Sequence, residues 1–326
     1  MEYKHLTSEQ RCQIYTLQSI GKNKKEIADH LGVSASTIGR EIKRNSGLKG
    51  YRHKQADSKA SERRSTASSR PTRMFPAVVQ FIEEKLREKW SPDQISGVLN
   101  ANGTPVSAER IYLHVWENKG AGGDLYKHLR HGGKKYNRRS SGKAGRGCIP
   151  NRVDIQDRPA IVQKKARTGD WEGDTIIGAK HQGAILSLVD RKSKYTKLAK
   201  LKDKTASGVV DAVTVAINQL PRTSVHTFTF DNGKEFSSHE MISEHTGAKC
   251  YFATPYCSWE RGLNEHTNGL VRQYFPKSCN LSEVTKKQVQ FVEDALNNRP
   301  RKVLGYRTPR EVFLGQKQPQ RIALQY

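Results

Sequence analysis

Residues 183–201 read GAILSLVDRKSKYTKLAKL, and this stretch decides the fold of the chain. Its first half is a continuous apolar run, which is typical of a buried strand in the middle of a sheet, and its second half predicts another strand. The preceding segment TGDWEGDTIIG, residues 168–178, predicts a short strand. The following segment ASGVVDAVTVAINQL, residues 206–220, predicts an apolar helix of about four turns.

The pattern continues toward the C-terminus with strands that alternate with helices. VHTFTFDNG predicts a strand that ends on a turn, HEMISEHTG predicts a helix, and AKCYFATPY predicts a last short strand. Three strands, a helix, a strand, a helix and a strand, followed by another helix, predict an α/β layered domain with a mixed five-stranded sheet over residues 166–326. Active groups in such domains gather at the ends of strands.

The helix after the last predicted strand has an unusual charge pattern. On a helix, Arg261, Asn268 and Arg272 share the face of Glu265, so this face is acidic in its middle and basic at both ends. Such a face suits a metal ion beside a phosphate chain. The alternative is an exposed helix in which Arg261 and Glu265 form an ion pair that contributes only about 0.2–0.5 kcal/mol.

Residues 1–48 are predicted to be a helix-turn-helix DNA-binding domain. Apolar residues recur at helical spacing, and Gly21 and Gly32 divide the segment into three helices. Ser34 is a good N-cap for the third helix, which corresponds to the recognition helix of this motif. A small helical bundle with a basic, solvated surface is the alternative. The predicted DNA-contacting residues of this helix are Ser36, Thr37, Arg40, Lys43 and Arg44.

Residues 75–130 are predicted to be a second helix-turn-helix DNA-binding domain. Ser91 caps a helix that begins with Pro92, and Ser107 caps the next helix, on which Arg110 is the predicted DNA contact. A plain helical hairpin remains the alternative because this presumed recognition helix is less basic.

Two basic linkers are predicted to flank the second helical domain. Residues 49–74 contain few apolar residues, so burial cannot offset the entropy of ordering them, and a flexible linker is expected. Residues 131–165 form the other linker, and between Asp124 and Asp154 there is no acidic residue at all. A basic segment between two domains can lie along DNA. The residues predicted to do so are Lys134, Lys135, Arg138 and Arg139.

The composition favours a polyanionic partner. The net charge is +25 and the pI is about 9.9, which indicates nucleic acid or an anionic membrane surface. No run of 18 or more apolar residues is present, and the N-terminus lacks an apolar signal core, so nucleic acid is the better partner and no membrane is expected. The five cysteines form no CxxC pair, which indicates reduced thiols in a cytoplasmic protein and no zinc site.

Three carboxylates stand where metal ligands are expected. Asp174 lies in or beside the first strand, Asp231 ends the strand FTF before an Asn-Gly turn, and Glu265 begins the last helix. Cleavage of a phosphodiester by such a protein needs hard oxygen ligands for two Mg²⁺ ions. An aspartate before Asn-Gly is by itself most often only a turn residue.

The three segments that carry these carboxylates resemble a known family. GDWEGDT, TFDNGKEF and SWERGLNEHTNGLVRQYFPKS are similar to the catalytic blocks of DDE transposases with an integrase-type, ribonuclease-H-like core, and specifically to the IS-thirty family of bacterial insertion sequences. The 33 residues between Asp231 and Glu265 match the spacing of that family. The paired helix-turn-helix regions resemble it too, so the resemblance covers nearly the whole chain.

This resemblance implies a function and roles for single residues. Asp174, Asp231 and Glu265 would bind two Mg²⁺ ions, with Mn²⁺ as a substitute, and Arg261 and Arg272 would contact DNA. The expected reaction is hydrolysis at the ends of the element, which frees a 3′-hydroxyl, followed by strand transfer into target DNA. Recognition of terminal inverted repeats in double-stranded DNA, assembly as a homo-oligomer on paired ends, and a bacterial cytoplasmic, nucleoid-associated location are implied as well.

The sequence departs from the family pattern at two positions, and two other functions remain as alternatives. His266 stands where the family pattern predicts Asn, and Arg272 stands where other insertion sequences commonly have Lys. Glu172 lies two residues before Asp174, so on a strand it shares the same face and is a candidate to assist. The rivals are a sequence-specific DNA-binding regulator without catalysis and a ribonuclease-H-type nuclease that never joins strands.

Overall fold

The chain forms two compact units. The computed structural model describes residues 5–68, 74–130, 149–255 and 257–316. One unit extends to residue 72, and the other begins at residue 73. None of the helices within the described residues has the length and the apolar character that crossing a membrane requires.

The first unit is helical, and its described part consists of α1 (Ser8–Ser19), α2 (Lys24–Leu31), α3 (Ala35–Asn45) and α4 (His53–Ser68). The side-chain oxygen of Asn23 accepts hydrogen bonds at the start of α2, and Ser34 caps α3 in the same way. Gly32 ends α2 with a φ of 64°, a conformation that glycine adopts at low cost. The three helices that Gly21 and Gly32 delimit in the sequence are therefore formed.

Most of the segment predicted as a flexible linker, residues 49–74, is helical. Helix α4 covers His53–Ser68, it packs on α1 and α3, and its small side chains Ala56 and Ala60 are buried. Lys59 donates a 2.8 Å hydrogen bond to a backbone carbonyl just beyond α3. The prediction of a flexible linker is wrong here because two buried alanines four residues apart, together with an ion pair between Asp57 and Arg11, dock a helix whose other faces are polar.

The second unit begins with a helical module and continues into the sheet domain. The module contains α5 (Pro76–Arg87), α6 (Pro92–Ala101) and α7 (Ala108–Gly120). Ser91 and Gln94 form a capping box at the start of α6, as the sequence predicts, and Ser107 caps α7. Its core is apolar and contains Ile82, Leu86, Ile95, Leu99, Ile111 and Val115.

The sheet contains five strands in the described residues, in the spatial order β3-β2-β1-β4-β5. The strands are β1 (Asp170–Ile177), β2 (Ala184–Asp190), β3 (Thr196–Leu201), β4 (Thr227–Phe230) and β5 (Lys249–Phe252). The first three pair antiparallel, whereas β1 with β4 and β4 with β5 pair parallel. The predicted mixed five-stranded sheet is confirmed. All residues of β2 are buried, and β1 occupies the centre.

Helices cover both faces of the sheet. The remaining helices are α8 (Ala160–Gln163), α9 (Ala206–Asn218), α10 (His239–Thr246), α11 (Gly262–Val271), α12 (Lys286–Asn297) and α13 (Pro309–Phe313). Leu186 packs in the core shared with α9 and α10, and its neighbour Ile185 packs in the core shared with α11 and α12. Successive side chains of a strand point to opposite faces, so the sheet separates two apolar layers.

The C-terminal half of the segment predicted as the second linker belongs to the sheet domain. Asp154 pairs with Phe252 in a parallel bridge, and Ile149, Ile155 and Val162 are buried. The linker prediction for residues 149–165 is therefore wrong. These apolar side chains pack in the core, but in the sequence they are few and stand among many charged residues. Residues 131–148 lie outside the described residues.

The helical module packs directly on the sheet domain within the same unit. Lys89 donates a 2.9 Å hydrogen bond to the carbonyl of Gln273, and Arg299 donates one of 2.8 Å to the side chain of Gln94. Gly97 of α6 lies against the ring of Tyr306. The sequence predicted a separate second domain here, whereas the structure has one compact unit.

This packing predicts the effect of a single methyl group at Gly97. A Cβ there would lie 2.2 Å from the Tyr306 ring, so Gly97→Ala should destabilise the unit by about 1–3 kcal/mol through overpacking. Gly120→Ala is the matched control, since nothing lies within 4 Å of a Cβ at that helical position. The control should change stability by at most about 1 kcal/mol, in the stabilising direction. Urea unfolding of both variants measures the difference, and equal stabilities would contradict this packing.

Candidate active site

The parallel pairing of β1 with β4 brings two predicted metal ligands together. Glu172 of β1 lies beside Thr229 of β4 in the register of this pair. Two residues further along each chain stand Asp174 and Asp231, which therefore lie side by side on the same face of the sheet. Their side chains are 26% and 45% exposed, so Asp174 is largely but not fully buried and Asp231 is more open to solvent.

Arg261 contacts both aspartates. Its Nη2 lies 3.5 Å from Oδ1 of Asp174, and its Nη1 lies 3.4 Å from Oδ2 of Asp231. The guanidinium also donates a 2.8 Å hydrogen bond to the carbonyl of Gly173, and the residue is only 8% exposed. Arg261 precedes α11 directly, so it joins the start of this helix to the middle of β1 and to the end of β4. Its predicted contact with DNA stays a prediction.

Asn268, in the second half of α11, also contacts Asp174. Its Nδ2 donates a 2.8 Å hydrogen bond to Oδ2 of Asp174, while its Oδ1 accepts one of 2.8 Å from Ser187. Ser187 lies directly opposite Asp174 in the β1–β2 pair. Sequence reasoning missed Ser187 because a cross-strand neighbour becomes known only with the strand register.

Glu265 lies in the first turn of α11 and is exposed. It follows Arg261 by four residues and precedes Asn268 by three, and both of these residues contact Asp174. The helix face predicted from the sequence is therefore the face that meets β1. Within the described residues, no group of three or more His, Cys, Asp or Glu side chains is arranged to hold a metal ion. Joint ligation by Glu265 and the two aspartates stays a prediction.

The electrostatics of Asp174 reflect its position between opposite charges. Burial raises the pKa of this carboxyl, the guanidinium of Arg261 lowers it, and the nearby Asp231 raises it. The net direction is upward, so burial and the neighbouring carboxylate outweigh the arginine. The single charge of Arg261 therefore does not fully compensate the two ionised aspartates.

The neighbouring acidic residues have other partners. Glu172 is buried and pairs with Arg191 at 2.5 Å, and it also accepts a hydrogen bond from the backbone of Asn264. Asp190 accepts hydrogen bonds in the turn after β2. Glu235 pairs with Lys204 at 3.2 Å. Glu172, a candidate to assist the triad in the sequence, is thus already neutralised by an arginine.

Two further residues of α11 and its end have defined surroundings. Arg272 donates a 2.6 Å hydrogen bond to the carbonyl of Ile177, and burial lowers its pKa. Burial, together with the positive charges of Arg130, Arg301 and Arg299, lowers the pKa of His266 to about 4, so this ring is neutral at pH 7.

The helix α3 of the first unit presents most of its predicted DNA-contacting side chains to solvent. Ser36, Arg40, Lys43 and Arg44 are exposed, and Thr37 is half-buried. The hydroxyls of Ser36 and Thr37 lie within 2.9 Å of the Ser34 hydroxyl that caps the helix. The arrangement agrees with a recognition helix that has a basic outer face.

The corresponding helix of the second unit, α7, is less basic on its surface. Arg110 forms a 3.0 Å ion pair with Glu117 of the same helix. Tyr112, Leu113 and Trp116 are exposed apolar side chains between these two residues. Contact of Arg110 with DNA stays a prediction. The predicted contacts Lys134, Lys135, Arg138 and Arg139 lie outside the described residues.

Comparison with known proteins agrees with this architecture. A helix-turn-helix domain model matches residues 2–45, and an integrase core domain model matches residues 165–258. The transposase for insertion sequence element IS4351 of Bacteroides fragilis is 47% identical over 313 residues, which cover 95% of each chain. The transposase InsI for IS30A of Escherichia coli (strain K12) is 36% identical over 321 residues, which cover 95% of this chain and 83% of that one. The transposase for IS1086 of Cupriavidus metallidurans is 33% identical over 321 residues, which cover 96% and 95%.

A helix-turn-helix domain joined to an integrase core defines an enzyme class that binds DNA and acts on it. The chain belongs to the IS-thirty (IS30) family of insertion-sequence transposases. It is a DNA transposase, and its integrase core is of the kind that depends on divalent metal ions.

The contact between Asn268 and Asp174 predicts the cost of one added charge. Asn268→Asp replaces a hydrogen-bond donor by a carboxylate against Asp174, so we expect a loss of about 1–3 kcal/mol in unfolding free energy. Asn218→Asp, at the exposed end of α9, should cost less than about 1 kcal/mol. Chemical unfolding at neutral pH compares the two. If Asn268→Asp proves no less stable than the control, α11 is not held to β1 through this carboxylate.

Proposed function

We propose that the transposase hydrolyses a phosphodiester at each end of its element and joins the freed 3′-hydroxyl to target DNA, with Asp174, Asp231 and Glu265 as its metal-binding carboxylates. The main support is the side-by-side position of Asp174, within β1, and Asp231, directly after the parallel strand β4. Both are accessible to solvent, as a group that meets DNA must be.

The residues fit a divalent cation. Carboxylate oxygens are the ligands that Mg²⁺ prefers. Burial, and to a lesser extent the neighbouring Asp231, raise the pKa of Asp174, and a bound cation would favour the ionised carboxylate against both. We propose two Mg²⁺ ions, for which Mn²⁺ substitutes. When bound, they would activate the attacking oxygen and stabilise the leaving oxygen.

Arg261 offsets the charge of the two aspartates when no cation does so. Its contacts with both carboxylates are longer than 3.3 Å, so they are ion pairs rather than short hydrogen bonds. A cation on these oxygens would release the guanidinium to contact a DNA phosphate, which is the role that family resemblance gives to Arg261 and Arg272. Asn268 orients Asp174 in either state.

We also propose that the helix-turn-helix regions recognise the terminal inverted repeats in double-stranded DNA. The exposed cations of α3 support this assignment. Joining two ends at one target requires a protein at each end, so the active form would be a homo-oligomer on paired ends. The enzyme would act at the bacterial nucleoid in the cytoplasm, since DNA is its substrate.

Replacing Asp231 tests the catalytic proposal. Asp231→Asn should lower cleavage of labelled element ends and strand transfer into a supercoiled target by at least about 100-fold in Mg²⁺, because it removes one charged ligand. Binding to end DNA should be unchanged. Asp211→Asn, on the exposed surface of α9, is the matched control and should retain activity.

The same assay separates the rival functions. A regulator without catalysis would show no cleavage in the unmodified chain. A ribonuclease-H-type nuclease would cut without preference for the ends and would never join strands. Cleavage that survives in Asp231→Asn would rule out the proposed metal ligands.

Arg40 tests the proposal for α3. Its side chain is exposed on the outer face of this helix, so Arg40→Ala should weaken binding to end DNA by about 1–3 kcal/mol if it contacts a base. In that case, discrimination against unrelated DNA should fall as well. If Arg40 contacts only a phosphate, binding to every sequence weakens equally and the salt slope drops by about one. Electrophoretic mobility shifts with both DNAs measure this, and unchanged binding to both would exclude Arg40 from the interface.

A further inference from the structure

A positively charged cavity of about 650 Å³ lies beside α11 in the second unit. It is bounded by this helix, by the turn after β2 and by the loop that follows α12. Five lysine and arginine side chains line it, against two glutamates. The five are Lys165, Arg191, Lys192, Lys194 and Arg301.

The two glutamates already have partners of their own. Glu172 pairs with Arg191, and Glu260 accepts hydrogen bonds of 2.8 and 3.1 Å from the backbone and hydroxyl of Thr254. Within the described residues, Lys165, Lys192, Lys194 and Arg301 form no ion pair with a carboxylate. Five cations against two glutamates therefore leave a positive charge in the cavity that the described residues around it do not balance.

Arg301 is the most buried of the four cations that form no ion pair in the part of the chain that the structure describes. It is 7% exposed, it donates a 3.2 Å hydrogen bond to the carbonyl of Leu296, and its Nε has no hydrogen-bond partner among the described residues. Arg299, two residues earlier, is 2% exposed and donates only to the neutral side chains of Gln94 and Gln273. Among the described residues, these two buried arginines thus donate hydrogen bonds to neutral partners alone.

A third arginine adds to this charge. Arg130 lies so close to α11 that a Cβ at Gly269 would be 3.2 Å from its Nη2. Burial and the neighbouring arginines lower the pKa of Arg301 to about 9, and burial with Arg130 lowers that of Arg299 to about 10. Both remain charged at neutral pH. A buried charge without a counter-ion destabilises the fold, and an anion in contact with it would relieve that cost.

The cavity lies on a different side of α11 from the carboxylates. Gly262, Leu263 and Thr267 line it, whereas Arg261 and Asn268 contact Asp174. At 100° per residue these two sets lie on roughly opposite faces of the helix, whose diameter with side chains is about 10 Å. Glu172, two residues before Asp174 on β1, also lines the cavity, so an anion there would lie near the carboxylates. Because the two sets of α11 residues face apart, it would be a different group from the phosphate that is cut.

We propose that this cavity binds a backbone phosphate of the DNA other than the scissile phosphate, with Arg301 as its buried contact and the exposed Lys165 and Lys192 beside it. The proposal rests on DNA being the substrate of this chain. Guanidinium groups match phosphate oxygens in geometry and charge, and the exposed lysines complete the neutralisation. The site would position the DNA backbone around α11 and would take no part in bond breaking.

The test measures binding of the full-length chain to a 30-base-pair duplex in EDTA, as a function of KCl concentration. Arg301→Gln and Lys192→Gln should each weaken binding and lower the salt slope by about one, since each removes one phosphate contact. Arg222→Gln is the matched control, because this exposed residue precedes β4 whereas Asp231 follows it. Unchanged slopes in both cavity variants would overturn the proposal.

Thermal unfolding separates binding from a structural role. If Arg301 serves the ligand, Arg301→Gln should unfold at the same temperature as the unmodified chain or higher, because a buried uncompensated charge is lost. A large fall in unfolding temperature with an unchanged salt slope would make it a structural residue and would contradict the proposal. Lys192 is exposed, so Lys192→Gln keeps the test valid even if Arg301→Gln does not fold.

Inorganic phosphate distinguishes the two sources of the anion. At matched ionic strength, phosphate should raise the unfolding temperature of the unmodified chain above that in chloride, and the rise should be smaller in Arg301→Gln, where only the general stabilising effect of phosphate remains. A rise that Arg301→Gln diminishes, with no change in the DNA salt slope, would assign the cavity to a free anion instead of DNA. Because binding is measured without metal, a failure of the catalytic proposal, seen as cleavage by Asp231→Asn, leaves this result unaffected.

Discussion

The parallel pairing of β1 with β4 is the constraint on which the site depends. It places Asp174 and Asp231 side by side although 56 residues, positions 175–230, separate them in the chain. Two carboxylates in that position repel each other, and Arg261 stabilises them from the start of α11. The site therefore exists only if the crossover from β3 through α9 to β4 places β4 beside β1 with this register.

The two faces of helix α11 lie in surroundings of opposite charge. One face meets β1 through Arg261 and Asn268, where negative charge is in excess. The other face lines a cavity in which Arg301 and several lysines leave positive charge in excess. Binding partners of opposite sign, a cation on one side and a phosphate on the other, would each relieve a cost that the isolated protein carries. A transposase both binds the DNA backbone and cleaves it, and the phosphate would serve binding whereas the cation would serve cleavage.

Local patterns explain why much of the architecture was predictable. The buried run of β2, the capping box of α6 and the glycine at the end of α2 each depend on residues close in sequence. The predictions failed where tertiary contacts outweighed composition. Helix α4 docks through Ala56 and Ala60, and the basic segment before β1 contributes buried side chains such as Ile155. Neither feature stands out in a sequence dominated by charge.

The sequence by itself determined the class of fold, the order of its elements, the family, and the identity of Asp174, Asp231 and Glu265 as the candidate ligands, because these follow from periodicity and from short motifs. Only the tertiary structure decided which residues surround them. Ser187 opposite Asp174, Arg261 between the aspartates and Gln94 against Arg299 are contacts between residues far apart in the chain. Strand register and helix docking set these contacts, and both are properties of the assembled core rather than of any local segment.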